Sequence, residues 1–597
     1  MGGDFSKLSA TGKHWNLAEP NQRDLLAIMQ AHNLSEIMAR LLLNRGISLS
    51  QVPLYLTPTM RDSLPDPYVL KDMELSVQRT VYALEHSEKI VVYGDYDVDG
   101  ATSSALLRRY FETIGHPIDL YIPDRLGEGY GANAEALEAL HHAGQKLVIM
   151  VDSGSVAFDP LDVAASLGLD VIVLDHHATE TKLPKTSALV NPNRFDQVLP
   201  DSWKQLRSLC AAGVAFLFLV ALQRTLRQKG WFEALPEPNL LNFLDLVALG
   251  TVCDVMPLVG VNRAFVSQGL KVLKNQQNKG LKALAHISGV SESLSAYHLG
   301  FMLGPRINAG GRVGKSTLGS LLLSTQDDLE AKIISDELNT LNQQRQEIEK
   351  RVLEDAMHQV ERDNLHKNPL IMVGQEGWHP GVIGIVASRL KEHYNRPTCV
   401  VGFDDQVGKG SGRSVVGVEM GQAMHVAVHK GLLEKGGGHA MAAGFTVHKD
   451  KYDTFYDFLN AHFGPAMEAY KPSLKIDGVL SAQGATVELM ESLERLEPFG
   501  TGNPGPKFAF MHMRLVYMDV VGAHHIRCTL ADEGGNKLNA MAFRCVDTPL
   551  EEALAQGRNQ PIHVAGTLKL DRWNGKKTVK FFLEDVMAPS SWKEGSS

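Results

Sequence analysis

Ile90-Val91-Val92-Tyr93-Gly94-Asp95 is a short apolar run that stops on an acid, and the arrangement returns three times before residue 255. It recurs as Leu147-Val148-Ile149-Met150-Val151-Asp152, as Val171-Ile172-Val173-Leu174-Asp175-His176-His177, and as Asp245-Leu246-Val247-Ala248-Leu249-Gly250-Thr251-Val252-Cys253-Asp254. Runs of this length, separated by amphipathic stretches such as 103–114, predict βαβ units around a buried parallel sheet. Each of the four runs is read as a strand. Ligands of such a sheet bind at the carboxyl ends of its strands, where Asp95, Asp97, Asp99, Asp152, Asp175, His176, His177 and Asp254 fall.

Working outward, 597 residues leave room for about three to five domains. Segment 326–368 lacks both Gly and Pro, and its apolar residues recur at threes, fours and sevens, which predicts one long helix. Thr325 with Asp328 resembles a capping pair, and Pro369 lies just beyond. A helix of that length exceeds one domain's width, so it reads as a connector between lobes, with an ordinary bundle helix as the plainer alternative. Residues 369–468 repeat the α/β texture. From about residue 475, five short alternating runs broken by turn residues predict a small β-barrel. The expected division is 1–75, 76–325, 326–368, 369–468 and 469–590.

A net charge of -9 excludes a protein that coats nucleic acid by bulk charge, so a polyanion must be held locally. Five cysteines with no close pair fit buried thiols in a reducing cytosol. The longest apolar stretch, 209–222, is too short to span a bilayer and reads as a core helix, so no membrane association is expected. Five or six carboxylates gathered in one crevice would repel one another unless cations neutralised them. Oxygen donors with one or two imidazoles, and no cysteine, suit two divalent ions, Mn²⁺ or Mg²⁺. The plainer reading makes the same acids turn and helix-cap residues.

Gly94-Asp95-Tyr96-Asp97-Val98-Asp99-Gly100 and Asp175-His176-His177 resemble the first and the name-giving motifs of the DHH phosphoesterase superfamily, with Val151-Asp152-Ser153-Gly154 and Gly250-Thr251-Val252-Cys253-Asp254 as the others. Within it, Arg306-Ile307-Asn308-Ala309-Gly310-Gly311-Arg312, Gly377-Trp378-His379-Pro380-Gly381 and Gly437-Gly438-His439 resemble the bacterial single-stranded-DNA exonucleases, in order over most of the chain. The resemblance implies a DHH catalytic lobe at 76–325, a DHH-associated lobe at 369–468 and an OB-like barrel at 469–590. It also implies Asp95, Asp97, Asp99, Asp152, His176 and Asp254 as ligands of two metals, His177 facing the scissile phosphate, and Asp175 orienting a histidine from behind. Ser153 and Ser155 depart from the residues common in the family.

Lys409-Gly410-Ser411-Gly412-Arg413-Ser414 reads as a glycine-rich loop whose free N–H groups, hydroxyls and cations cradle a phosphate. By resemblance Ser411, Arg413 and His439 grip the DNA end, joined by Arg125 and Arg306 from the first lobe. In the barrel, where residues 501–597 hold 12 basic and 10 acidic residues, Arg572, Trp573, Lys576, Lys577, Lys580 and Phe581 interleave cations and aromatics as a base-stacking groove would. The alternative puts Trp573 and Phe581 in the barrel core. The expected activity is 5′-to-3′ hydrolysis of single-stranded DNA to mononucleotides in recombination and repair, by a monomer in a bacterial cytoplasm, with a single-strand-binding protein and a helicase as further partners. The competing readings are a DHH phosphatase or small-oligonucleotide phosphodiesterase, and a non-catalytic strand-binding protein.

Overall fold

The structure, a computed structural model, describes residues 8–124, 128, 131–290, 294–573 and 576–588. Arg125 and the turn residues Asn574 and Gly575 lie outside them, as does the side chain of Trp573. The chain forms two compact units, one from Pro65–Met256 and Gln268–Tyr470, the other from the described parts of Met1–Leu64, Pro257–Ser267 and Lys471–Ser597.

In the first unit, five parallel strands lie in the order Asp119–Tyr121, Ile90–Tyr93, Leu147–Val151, Asp170–Leu174, Ala188–Val190. Except for the edge strand Asp119–Tyr121, they are apolar and buried almost throughout, which suits a sheet covered on both faces. The fourth predicted strand is instead the helix Leu244–Cys253, capped by Asp254. A short apolar run buried on all sides carries no periodicity that separates helix from strand. Its alanine and leucines favour helix, where the true strands are β-branched. Of the apolar stretch 209–222, all but Leu209 and the cap residue Cys210 lie in the buried core helix Ala211–Gln228, as expected.

The long helix runs Asp328–Arg362, and its first turn is capped by Asp327, which accepts from Glu330 N, rather than by the predicted pair. Leu338 and Leu341 pack onto Gly310 and Gly314 of the first lobe, whereas Val352, Ala356 and Val360 join the core around Ile371 and Val373 of the second. It therefore connects two lobes of one unit. In the second lobe, the supposed loops are strands of a five-stranded sheet: Val407–Arg413 lies between Thr398–Asp404 and Ala442–His448, with Lys435–His439 at the edge.

In the second unit, Lys507–Val521, His525–Ala531, Lys537–Ala542, Lys576–Met587 and Ile562–Trp573 follow one another around a barrel that closes by pairing the first strand to the last. Four of the five predicted runs lie within these strands, and the fifth, 540–543, overruns its strand by one residue. The N-terminal helices Gln22–His32 and Glu36–Asn44 share the barrel's hydrophobic core, and His14–Leu17 pairs in parallel with Ser473–Ile476. Buried Arg263 donates to Tyr55 O (2.9 Å) and Glu497 O (2.7 Å), tying all three chain segments together. Among the described residues no helix is long and apolar enough to cross a membrane.

Candidate metal centre and nucleic-acid interface

Asp95 follows the strand Ile90–Tyr93, and Asp97 caps the helix Val98–Thr113 by accepting from Gly100 N at 3.0 Å. A methyl at Gly100 would fall 2.4 Å from Asp95 O, so only glycine lets the helix start this close to the acid. Asp99 is buried in the first turn and accepts from Ala211 N (2.5 Å) and Ala212 N (3.0 Å) at the start of another helix, an arrangement that favours a carboxylate. Gly250 lets the helix bearing Asp254 approach, since a methyl there would lie 2.8 Å from Asp99 Oδ1. Asp152 leaves its strand with φ 59°, a left-handed conformation that turns its carboxylate into the same space.

These side chains converge. Ligand atoms of Asp95, Asp97 and Asp152 lie within 4.8 Å of one another, as do those of Asp99, His176 and Asp254. His176 Nε2 sits 3.3 Å from Asp152, 3.5 Å from Asp254 and 3.8 Å from Asp99, yet is buried without a hydrogen-bond partner, as is Asp254 Oδ2. Burial, reinforced by Asp99 and Asp97, pushes Asp254 up to about 9. Burial and the neighbouring aspartates likewise raise Asp152 well above the carboxylate range, and burial lowers His176. Asp97 does act as a helix cap, but capping does not account for orphaned buried donors amid mutually repelling acids. Oxygen and imidazole donors of this kind fit hard divalent cations.

Behind the cluster, Asp175 Oδ1 lies 2.8 Å from His177 Nδ1, while Asp175 accepts from His176 N (2.7 Å) and Ser155 N (3.1 Å). Burial opposes charge on both groups, but this bond outweighs it, holding Asp175 below the carboxylate range and His177 at about 9. Ser155, one of the departures from the family pattern, supports the acid through its backbone N–H, while its hydroxyl accepts from Asn191 Nδ2 at 2.7 Å. Sequence reasoning missed Asn191 and Asn193, whose amides donate to His177 O (2.8 Å) and His176 O (2.6 Å). They follow the strand Ala188–Val190, so the strand-end rule that found the acids also covers them.

In the second lobe, strand alternation turns Lys409, Ser411 and Arg413 to one face, while a methyl at Gly410 on the other would strike Phe445 at 2.2 Å. The strand is flanked on both sides, so its backbone N–H groups serve the sheet and not a ligand. The three side chains line a cavity of about 740 Å³ with Lys435, Gly384 and Arg312, the last reaching from the first lobe to donate to Gly381 O at 2.7 Å. Arg413 donates to Ser411 Oγ at 2.9 Å, and among the described residues no carboxylate pairs with it. His439 and Arg306 do not line this cavity. Arg306 donates to Asn339 Oδ1 (3.0 Å) and Met302 O (2.6 Å).

On the barrel, Phe581 is core, packed edge-on against Phe510. Arg572 pairs with Glu494, Lys577 with Glu491 and Lys580 with Asp571; Lys576 is exposed. With Phe581 inward, Phe582 faces outward and stacks on Phe543 at 5.5 Å, with Lys569 4.9 Å over Phe582 and His525 edge-on to Phe543. Phe581, predicted for a stacking groove, is therefore a core residue, and the outward aromatic and cationic row is built from other residues.

Residues 89–251 match the DHH family N-terminal domain, 367–464 the DHHA1 domain and 476–585 the RecJ OB domain. The chain is 35% identical to the single-stranded-DNA-specific exonuclease RecJ of Escherichia coli K12, over 93% of this chain and 96% of that protein. It is 31% identical to RecJ of Bacillus subtilis 168, over 98% of this chain and 72% of that one. The crystal structure of RecJ with Mn²⁺ from Thermus thermophilus superposes with a TM-score of 0.80 at 29% identity, covering 98% of this chain and 81% of that one. The chain therefore belongs to the RecJ family of single-stranded-DNA-specific exonucleases.

Proposed function

We propose that the chain hydrolyses single-stranded DNA from its 5′ end, releasing mononucleotides, with two divalent ions, Mn²⁺ or Mg²⁺, held by Asp95, Asp97, Asp99, Asp152, His176 and Asp254. The observation that carries this reading is His176 Nε2, buried without a hydrogen bond and ringed at 3.3–3.8 Å by three carboxylates, because so much buried negative charge calls for cations. Bound there, two ions supply charge neutralisation at the attacking and departing oxygens of an in-line phosphoryl displacement. The residues do the rest. His177, kept protonated by Asp175, directs a cation and an N–H toward the scissile phosphate. Asn191 and Asn193 fix the backbone that carries both histidines.

Polarity follows from the second lobe. Arg413, Ser411, Lys409 and Arg312 offer a confined anion site without a competing acid beside Arg413, suited to the extra charge of a terminal 5′-phosphate. With the end held there, one phosphodiester is presented to the cluster, and the product is a 5′-mononucleotide. Arg125, His439 and Arg306 belong to the grip only by family resemblance. The outward barrel row Phe543, Phe582 and Lys569 provides a stacking surface for the single strand, and Arg572, Trp573 and Lys576 join it on the sequence reading alone. A single-strand-binding protein and a helicase as partners, a monomeric state and a bacterial cytoplasm are part of the same proposal.

The test is a set of strands labelled at either end, single-stranded or in a blunt duplex. The 5′ label should leave first, as mononucleotide, from the single strand alone. Loss from the 3′ end, or equal attack on duplex, overturns the reading.

A further inference from the structure

Tyr297 and Phe301 are 57% and 72% exposed, and their rings stack on each other with centroids 5.0 Å apart and planes 27° from parallel. Two large rings left in water give up burial that either would gain in a core. Phe301 lies at the centre of a turn of π-helix, Leu299–Leu303, whose end residues Leu299 and Leu303 are buried, so that the turn projects Phe301 outward. Such turns are rare and concentrate at functional sites.

The turn is fastened to the metal centre. Cys253 Sγ, one residue before Asp254, donates to Leu299 O at 3.4 Å. A methyl at Gly304 would fall 2.5 Å from Cys253 Sγ, and one at Gly300 3.3 Å from Val252 Cγ1. The aromatic pair thus stands on the segment packed directly against the end of the helix that presents Asp254. A strand with a phosphate at the cluster must cross neighbouring surface, and every nucleotide brings a π-face.

Resting on the reading above, we infer that the Tyr297–Phe301 pair is a stacking platform for a nucleobase of the DNA strand held at the metal centre. The platform is sequence-tolerant, since any base stacks. Neither ring has a role in bond breaking; Phe301 is a positioning residue.

The experiment uses the full chain carrying Asp152→Asn with Mn²⁺, so that strands bind without being cut. Single-stranded 5′-phosphorylated oligonucleotides carry one 2-aminopurine, moved along the first eight positions, whose emission is quenched by stacking. One or two adjacent positions should be quenched in the parent, released in Phe301→Ala and retained in Phe301→Trp. Affinity should fall about tenfold in the alanine variant, within the range for losing one stacked base. An exposed side chain leaves the fold intact, which an unchanged thermal melt checks. If the parent binds strands normally and Phe301→Ala alters neither quenching nor affinity, the platform is refuted and the rings serve another partner, such as a protein. If the parent binds no single strand, the proposed function itself fails and this inference with it.

Discussion

Asp152 shows how much a single residue carries: it is buried, sits at φ 59°, and feels four other acids, Asp95, Asp97, Asp99 and Asp254, whose charge it can tolerate only beside cations. Asp152→Asn keeps a side chain at ease in that backbone conformation, and Asp97→Asn keeps a helix cap. Either should lower cleavage on the order of a thousandfold or more while strand binding persists, measured as initial rate against affinity. Without metal, the melting temperature should stay or rise because repulsion is relieved, and the rise that Mn²⁺ gives the unaltered chain should shrink. His177 gives a pH test. Its imidazolium is present below about 9 and is lost as pH rises through that value. In Asp175→Asn the supporting negative charge is gone, so the alkaline limb of kcat should move toward acid by about one unit, with kcat down about 10- to 100-fold. An unmoved limb means His177 is not the titrating group. Asp95, Asp152 and Asp175 were legible in the sequence because strand ends are where a parallel sheet exposes chemistry, whereas Asp254 was found through a run misread as a strand and stands at the end of a helix. The geometry of the cluster was not legible, because 3.3–3.8 Å approaches around His176 depend on chain turns that no local pattern encodes.

At the scale of elements, side-chain alternation decides the second lobe. Lys409, Ser411 and Arg413 share a face only because their segment is a strand, although its glycines read as a loop. The glycines instead mark the close approach of Phe445 and of neighbouring strands. Arg413→Ala should cut activity on 5′-phosphorylated strands far more than on 5′-hydroxyl strands, and Arg413→Lys should restore only part, since an ammonium lacks the forked pairing. Equal losses on both would remove end-sensing from this cavity. The barrel reads the other way: its strands were legible from alternating runs, but the inward or outward phase of 581 and 582 was not, because period two fixes a face only when the core is known. Phe543→Ala with Lys569→Ala should weaken binding of long strands and lower the log-log salt slope by about 0.7 for the lost phosphate contact, with less effect on dinucleotides. Arg572→Ala, already paired to Glu494, should change binding less.

For the whole molecule, the unexpected feature is that the barrel's unit is assembled from three separated stretches of chain. Trp15 Nε1 donates to buried Asp585 at 2.9 Å across 570 residues, a pairing with no sequence signature. Trp15→Phe should therefore destabilise this unit by about 1–3 kcal/mol, read by denaturant melts, since it leaves a buried acceptor oxygen without its donor. A fragment beginning at residue 471 would leave its shared core uncovered, so surface substitutions are the sound probes of the barrel. The central claim is that the acids and histidine gathered from strand and helix ends form a metal-dependent centre that removes mononucleotides from a single strand. The most direct measurement follows release of a 5′-label from a single-stranded oligonucleotide by the full chain, with Mn²⁺, with chelator, and with Asp152→Asn in Mn²⁺. The account predicts labelled mononucleotide in the first reaction and none in the other two. Release that survives chelation, or that Asp152→Asn leaves near its original rate, would contradict it.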